Sequence, residues 1–182
     1  MTLTHRLAEE SDIPALRELM ALSINRLQDD VLTPEQVRAS QEIMGIDTQL
    51  IHDRTYFVVE RDGKLAGCGG WSKRETLYGG DHSAGRNARL LDPMSEPARI
   101  RAMYTHPDHI RQGVGRMILR LCENAAQDAG FSRVEMMATL AGEKLYSACG
   151  YTPIEHVMSP PIDGVAVPLI RMGKMLGANS VL

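Results

Sequence analysis

The chain has 182 residues, 43% of them hydrophobic and 24% charged, with a formal net charge of -3. That length suits one domain with a sizeable core, and the acidic balance excludes the overall basic footprint usual for nucleic-acid binders. No run of about 18 apolar residues offers a membrane-spanning helix, and the opening MTLTHRLAEESD has no apolar signal core.

In chain order, LTHRLA (3–8) reads as a short strand. SDIPALRELMALSINRL (11–27) reads as a helix with Ser11 or Asp12 as cap and Pro14 in its first turn. Ile13, Leu16, Leu19, Met20, Ser23 and Leu27 mark one of its faces. TPEQVRASQEIMG (33–45) predicts a second helix, with a capping box between Thr33 and Gln36, Pro34 at the first position and Gly45 as its end. RTYFVVE and LAGCGGWSK read as paired strands around the turn RDGK. The segment from Tyr78 to Pro97 is rich in Gly, Pro, Asp and Asn, and is a long loop.

ARIRAMYTHP predicts the next strand, ended by Pro107. After it, Val114, Met117, Ile118, Leu121, Cys122 and Ala125 follow helical spacing, and Gly130 closes that helix. SRVEMMAT reads as a strand, AGEKLYSACGY as a short helix with a glycine stop, and IEHVM and VAVPLIRMGKML as two last strands around PPIDG. The order predicts one α/β domain over residues 1–182 with a mixed sheet.

HIRQGVGRM (109–117) puts Gly113 and Gly115 beside Arg111 and Arg116 at the start of a helix. A helix N-terminus presents unpaired N–H groups and the positive end of its dipole, which together suit an anion. Glycine would let phosphate oxygens approach the backbone, and the two arginines could add charge-assisted hydrogen bonds. A Walker A run is absent, and Ile118 stands where a dinucleotide fingerprint needs its third glycine. A short pyrophosphate turn and a plain tight turn both remain open at this point. Arg99, Arg101, Arg120 and Arg133 add to the local excess of cations, which suits an anionic ligand or a solvated surface.

MYTHPDHIRQGVGRMIL resembles the acyl-CoA-binding motif of the GNAT superfamily of N-acyltransferases, [RQ]-x-x-G-x-[GA] between a splayed strand and a helix. Ile110 replaces the usual Arg or Gln, and Gly113 and Gly115 match. LAGEKLYSACGY resembles the family's second signature, with Thr139 where an Asn often opens it. The resemblance implies a GNAT fold: a mixed, mostly antiparallel central sheet flanked by helices and splayed at the CoA site. It implies acetyl-CoA as co-substrate and a small-molecule or peptide amine as acceptor. It further implies that Met103, Tyr104 and Thr105 pair through their backbone with pantetheine. The amides of Arg111, Gln112, Gly113, Val114, Gly115 and Arg116 would then hold the pyrophosphate. Tyr146 would face the CoA sulfur as general acid. A homodimer through the last strands is compatible with the family.

Glu60, Glu75, Asp81, His82 and His106 are the chemically plausible bases, and the absence of a carboxylate from IRAMYT suggests relay through water. Trp71, Tyr78 and the loop from Gly79 to Pro97 are the expected acceptor pocket. His106 and His109 form HxxH without a third ligand nearby, so no metal is expected. Cys68, Cys122 and Cys149 have no metal-type spacing, and read as buried thiols in a reducing, cytoplasmic setting. Neither a nucleic-acid nor a membrane partner is expected. The competing reading is a non-catalytic acyl-CoA-binding sensor.

Overall fold

The computed structural model describes residues 2–83 and 86–177. β1 (Leu3–Leu7), β2 (Tyr56–Arg61) and β3 (Lys64–Ser72) run antiparallel. The β2–β3 turn places Asp62 and Gly63 at φ 49° and 77°, the left-handed geometry that a tight hairpin demands. β4 (Ala98–Thr105) pairs antiparallel with β3, and β5 (Arg133–Thr139) lies parallel to β4. β7 (Pro168–Met175) sits beside β5, with β6 (Thr152–Met158) at the edge. The sheet order is β1-β2-β3-β4-β5-β7-β6, mixed because the β4–β5 pair is parallel.

Helices cover both faces. α1 (Ile13–Leu27) buries Leu16, Leu19, Met20 and Ile24 against Tyr56, Val58 and Tyr104. Pro14 falls in its first turn, but Asp12 makes no side-chain cap bond to it; instead Glu9 and Asp12 box a single turn just before the helix. α2 (Pro34–Ile43) begins with the predicted capping box, Thr33 Oγ1 accepting from Gln36 N at 3.2 Å. α3 (Thr48–His52) has no counterpart in the sequence reading: it is one turn long, too short for a period, and is capped by Asp47. On the other face, α4 (Val114–Asp128) buries Ile118, Leu119, Cys122 and Ala126 with Trp71, Phe131 and Met136. α5 (Glu143–Ala148) follows β5, and Gly150 (φ 91°) stops it.

One irregularity decides the shape of the sheet. Cys68 is opposite Tyr104 and Gly70 opposite Arg101, so Gly69 alone faces both Ala102 and Met103. This is a β-bulge, and Ala102 takes the left-handed φ of 48°. Ahead of the bulge, β4 and β5 are joined at Ala98–Val134 and Arg99–Glu135. Beyond it the strands part. The joined end is clamped by Glu135, which accepts from Arg99 Nη1 at 3.1 Å and from Arg171 Nε at 2.9 Å.

Candidate active site

The gap between β4 and β5 opens into a cavity of about 880 Å³. Its walls come from both sides of the sheet: Gly113–Arg116 of the α4 start and Tyr146 of α5 on one side, α1 and the end of α2 on the other. Ligand pockets for small molecules span roughly 300–1,000 Å³, so the cavity can admit one sizeable ligand.

β4 turns backbone toward that gap. His106 N donates to Ala66 O at 2.9 Å, across to β3. Antiparallel neighbours alternate in direction, so the N–H and C=O of Thr105 face the opened side. The bulge carbonyl, Ala102 O, is occupied by the buried Tyr56 hydroxyl at 2.7 Å. Tyr104 turns its ring to the α1 side, where its Oη accepts from Gly45 N at 3.1 Å. Met103 packs the opposite way, into the α4 core.

The α4 N-terminus is open: Gly113 caps it at φ 87°, and no side chain among the described residues takes up its first N–H groups. The amides of Val114, Gly115 and Arg116 therefore lack intrahelical partners. Arg111 and Arg116 are exposed, line the cavity and form no ion pair among the described residues. The two glycines divide the work differently from the sequence expectation. Gly113 has open space around its missing side chain and a backbone that favours glycine. Gly115 is buried, and a Cβ there would lie 2.6 Å from Leu145 Cδ2. Its lack of a side chain admits α5 rather than a ligand.

Nine of the ten predicted site residues line the cavity; Gln112 does not. The Gln112 side chain is turned to the preceding loop, where Nε2 donates to Asp108 O at 3.1 Å and Oε1 accepts from Arg61. Val114 has its side chain in the core, so its amide is what it can offer a ligand. Thr139 is spent locally, its Oγ1 accepting from Gly142 N at 3.2 Å.

Tyr146 is half-buried, with its ring against Gly142: a Cβ on that glycine would meet the ring at 2.6 Å. Its hydroxyl has no hydrogen-bond partner among the described residues. Burial pushes the phenol up to about 12, with the neighbouring Cys149 adding to the shift. The group thus stays a hydrogen-bond donor across the neutral range. It can stabilise a thiolate or alkoxide that forms within reach.

The expected bases do not line this cavity. Glu60 faces Arg6, Glu75 is held by Arg89, and Asp81 accepts from Thr48 and Arg86. His106 Nδ1 accepts from Asp108 N at 3.1 Å. Among the described residues, Asp30 is the one carboxylate in the cavity wall, a position with no periodic or motif signal in the sequence. Trp71 is not a pocket residue either: it is 6% exposed, edge-on to Phe131 on the α4 side. Tyr78 and Gly79 do reach the cavity, whereas Ala84 and Gly85 of that loop lie outside the described residues.

Arg101 and Asp47, each 2% exposed at the side chain, form a buried pair at 2.9 Å. Arg101 also donates to the carbonyls of Gly79 and Thr76. This residue, missed by the sequence reading except as one cation among many, ties the β3–β4 loop to the edge of the bulge. Cys68 is buried beside Tyr56, and burial pushes its thiol up to about 12, so it is a poor nucleophile. No group of three or more potential metal ligands occurs among the described residues. No helix among them is long and apolar enough to cross a membrane.

A family model for the GNAT acetyltransferases matches residues 22–151. The chain belongs to the GNAT acetyltransferase family. Its fold is similar to a GCN5-related N-acetyltransferase structure from Rhodopseudomonas palustris, with a TM-score of 0.70 at 18% identity over 97% of each chain. It is also similar to the PaiA N-acetyltransferase of Thermoplasma acidophilum in complex with coenzyme A, at TM-score 0.64 and 12% identity, covering 96% of this chain and 99% of that one. A third is YncA, a putative acetyltransferase from Salmonella typhimurium with acetyl-CoA, at TM-score 0.63 and 17% identity, covering 100% of this chain and 98% of that one. At such identities the likeness is one of fold. A comparison with curated proteins found no match. The GNAT assignment gives the splayed strands and the open helix end of this acyltransferase a common purpose.

Proposed function

We propose that the protein is an acetyl-CoA-dependent N-acetyltransferase, a single domain over residues 1–182, acting on an amine of a small molecule or peptide. The observation that carries this reading is the cavity that joins the β4–β5 gap to the uncapped start of α4. In this reading the pyrophosphate of the co-substrate takes the amides of residues 113–116, with Arg111 and Arg116 adding charge. The pantetheine arm lies along Met103–Thr105 and pairs with the outward backbone of Thr105. Gln112 contributes through its main chain if at all, since its side chain is engaged elsewhere.

Transfer is direct, within a ternary complex. The amine nitrogen attacks the thioester carbonyl, the C–N bond forms, and the C–S bond breaks as the tetrahedral intermediate collapses. The nitrogen loses its proton to water in the cavity, since none of Glu60, Glu75, Asp81, His82 and His106 is in its lining. The departing sulfur is met by the Tyr146 hydroxyl. A phenol titrating higher than a thiol gives up its proton reluctantly. The role is thus a hydrogen bond that strengthens as negative charge grows on sulfur. The free cysteines support a reducing, cytoplasmic setting, and the engaged environment of Cys68 supports transfer without an acetyl-cysteine intermediate.

The test is acetyl-CoA with a panel of amines, following thiol release and product mass together. Intersecting initial-rate lines are expected. Parallel lines, or acetyl trapped on a cysteine, would contradict direct transfer.

A further inference from the structure

On the α1 side of the cavity, one buried amide oxygen stands out because no described residue satisfies it. Gln28, directly after α1, is 3% exposed and forms part of the cavity wall. Its Nε2 donates weakly to Met44 Sδ at 3.6 Å. A thioether sulfur accepts and cannot donate, which fixes that end of the amide as the NH2. Its Oε1 is buried with no hydrogen-bond partner among the described residues. Such an orphan costs stability, so a residue that keeps one is a candidate for a ligand contact. Ser23 adds to the case: it is 6% exposed, also in the wall, and its hydroxyl has no partner among the described residues.

Charge narrows the ligand further. Asp30, exposed and free of ion pairs, is the one carboxylate in the wall among the described residues. The cations Arg111, Arg116 and Lys144 lie at the α4–α5 end, Arg26 in the last turn of α1 is in the wall on the Gln28 side, and Arg101 is paired with Asp47. A polycation would therefore find one carboxylate and several repelling charges. Apart from the exposed Arg26 and the buried Ser23, the wall around Gln28 is apolar, with Ile24, Leu27, Met44 and Leu77 and with Tyr78 beside them.

We propose that the acceptor is a monoamine carried on an apolar body, alkyl or arylalkyl, whose N–H is received by Gln28 Oε1 while Asp30 attracts the ammonium form at the entrance. This rests on the acetyltransferase reading above and specifies its substrate class. Gln28 is a specificity-determining residue for the amine and has no part in holding acetyl-CoA.

The experiment compares hexylamine and 2-phenylethylamine with spermidine and a lysine-rich peptide, using acetyl-CoA and the full chain. The monoamines are expected to give at least tenfold higher kcat/KM than the polycations. Gln28→Met keeps the volume and removes the orphan acceptor. It should raise KM for the monoamine at least tenfold, leave KM for acetyl-CoA unchanged, and leave Tm equal or higher. A merely structural glutamine would not give that combination. Asp30→Asn, at an exposed position, should raise amine KM severalfold at low salt and less at high salt. A preference for spermidine or the peptide, or an unchanged amine KM in folded Gln28→Met, would overturn the proposal while leaving the acetyltransferase reading intact. Binding of acetyl-CoA with no turnover of any amine would overturn both.

Discussion

The Tyr56 hydroxyl donates to the Ala102 carbonyl at 2.7 Å, joining β2 to the bulge in β4 across the intervening strand. Tyr56 is 1% exposed, and its hydroxyl also contacts Cys68 Sγ at 3.2 Å. A left-handed alanine is strained, and surrounding structure must hold it. Tyr56 supplies that hold at the point where β4 leaves β5. Tyr56→Phe removes one buried bond and leaves a carbonyl without its partner, a loss of about 1–3 kcal/mol. The same variant should raise KM for acetyl-CoA severalfold, because β4, the strand proposed to receive pantetheine, loses its fixed curvature. Urea unfolding and initial rates check the two effects separately.

Gly113 and Gly115 should fail for different reasons. Gly113→Ala forces a side chain onto a backbone at φ 87°, a cost of about 1–2 kcal/mol. Gly115→Ala drives a methyl into Leu145, and overpacking of this kind costs about 1–3 kcal/mol. Adding Leu145→Ala should therefore recover much of the stability lost in Gly115→Ala and none of that lost in Gly113→Ala. Thermal melts of the two double variants read this directly.

Tyr146→Phe keeps the ring against Gly142 and removes the unpartnered hydroxyl. It should lower kcat at least about tenfold, within the range of general-acid effects, and leave KM for acetyl-CoA nearly unchanged. Because burial holds the phenol protonated up to about 12, wild-type kcat should show no alkaline loss from this group below about pH 11. Single-turnover rates against pH check both statements.

Stability itself should fall at alkaline pH. Cys68 and Tyr146 are held protonated up to about 12 in the fold, chiefly by burial. Unfolded thiols and phenols ionise near ~8.5 and ~10. Across that window the folded chain binds more protons than the unfolded one, so stability declines as pH rises. Urea midpoints at pH 8 and pH 10.5 should differ in that direction, and Cys68→Ala should reduce the slope.

Much of this architecture was legible because local signals agreed with tertiary ones. Thr33 and Gln36 announced a capping box, Asp62-Gly63 a hairpin, and Val114 to Ala125 an amphipathic helix, and each formed as read. The glycine pair and Tyr146 were legible through the family motif. What escaped was set by long-range geometry. Tyr56 is 46 residues from Ala102, and nothing local marks that bond. Arg101 and Asp47 are 54 residues apart. Gly115 needs its missing side chain because Leu145 packs on it, and a motif records that glycine is needed, not which neighbour needs it. Trp71 resembled a pocket residue because an aromatic beside a loop looks the same whether it faces a ligand or Phe131. Asp30 and Gln28 follow a helix end with no pattern of their own.

The central claim is that this cavity transfers acetyl from acetyl-CoA to an amine. The most direct measurement is the amount of free CoA thiol released against the amount of N-acetyl product, with and without amine, for wild type and Tyr146→Phe. The account predicts equal amounts of thiol and product, release that depends on the amine, and a rate at least about tenfold lower in the variant. Tight acetyl-CoA binding with no amine-dependent release would contradict it, and would make the protein an acyl-CoA sensor built on an acetyltransferase fold.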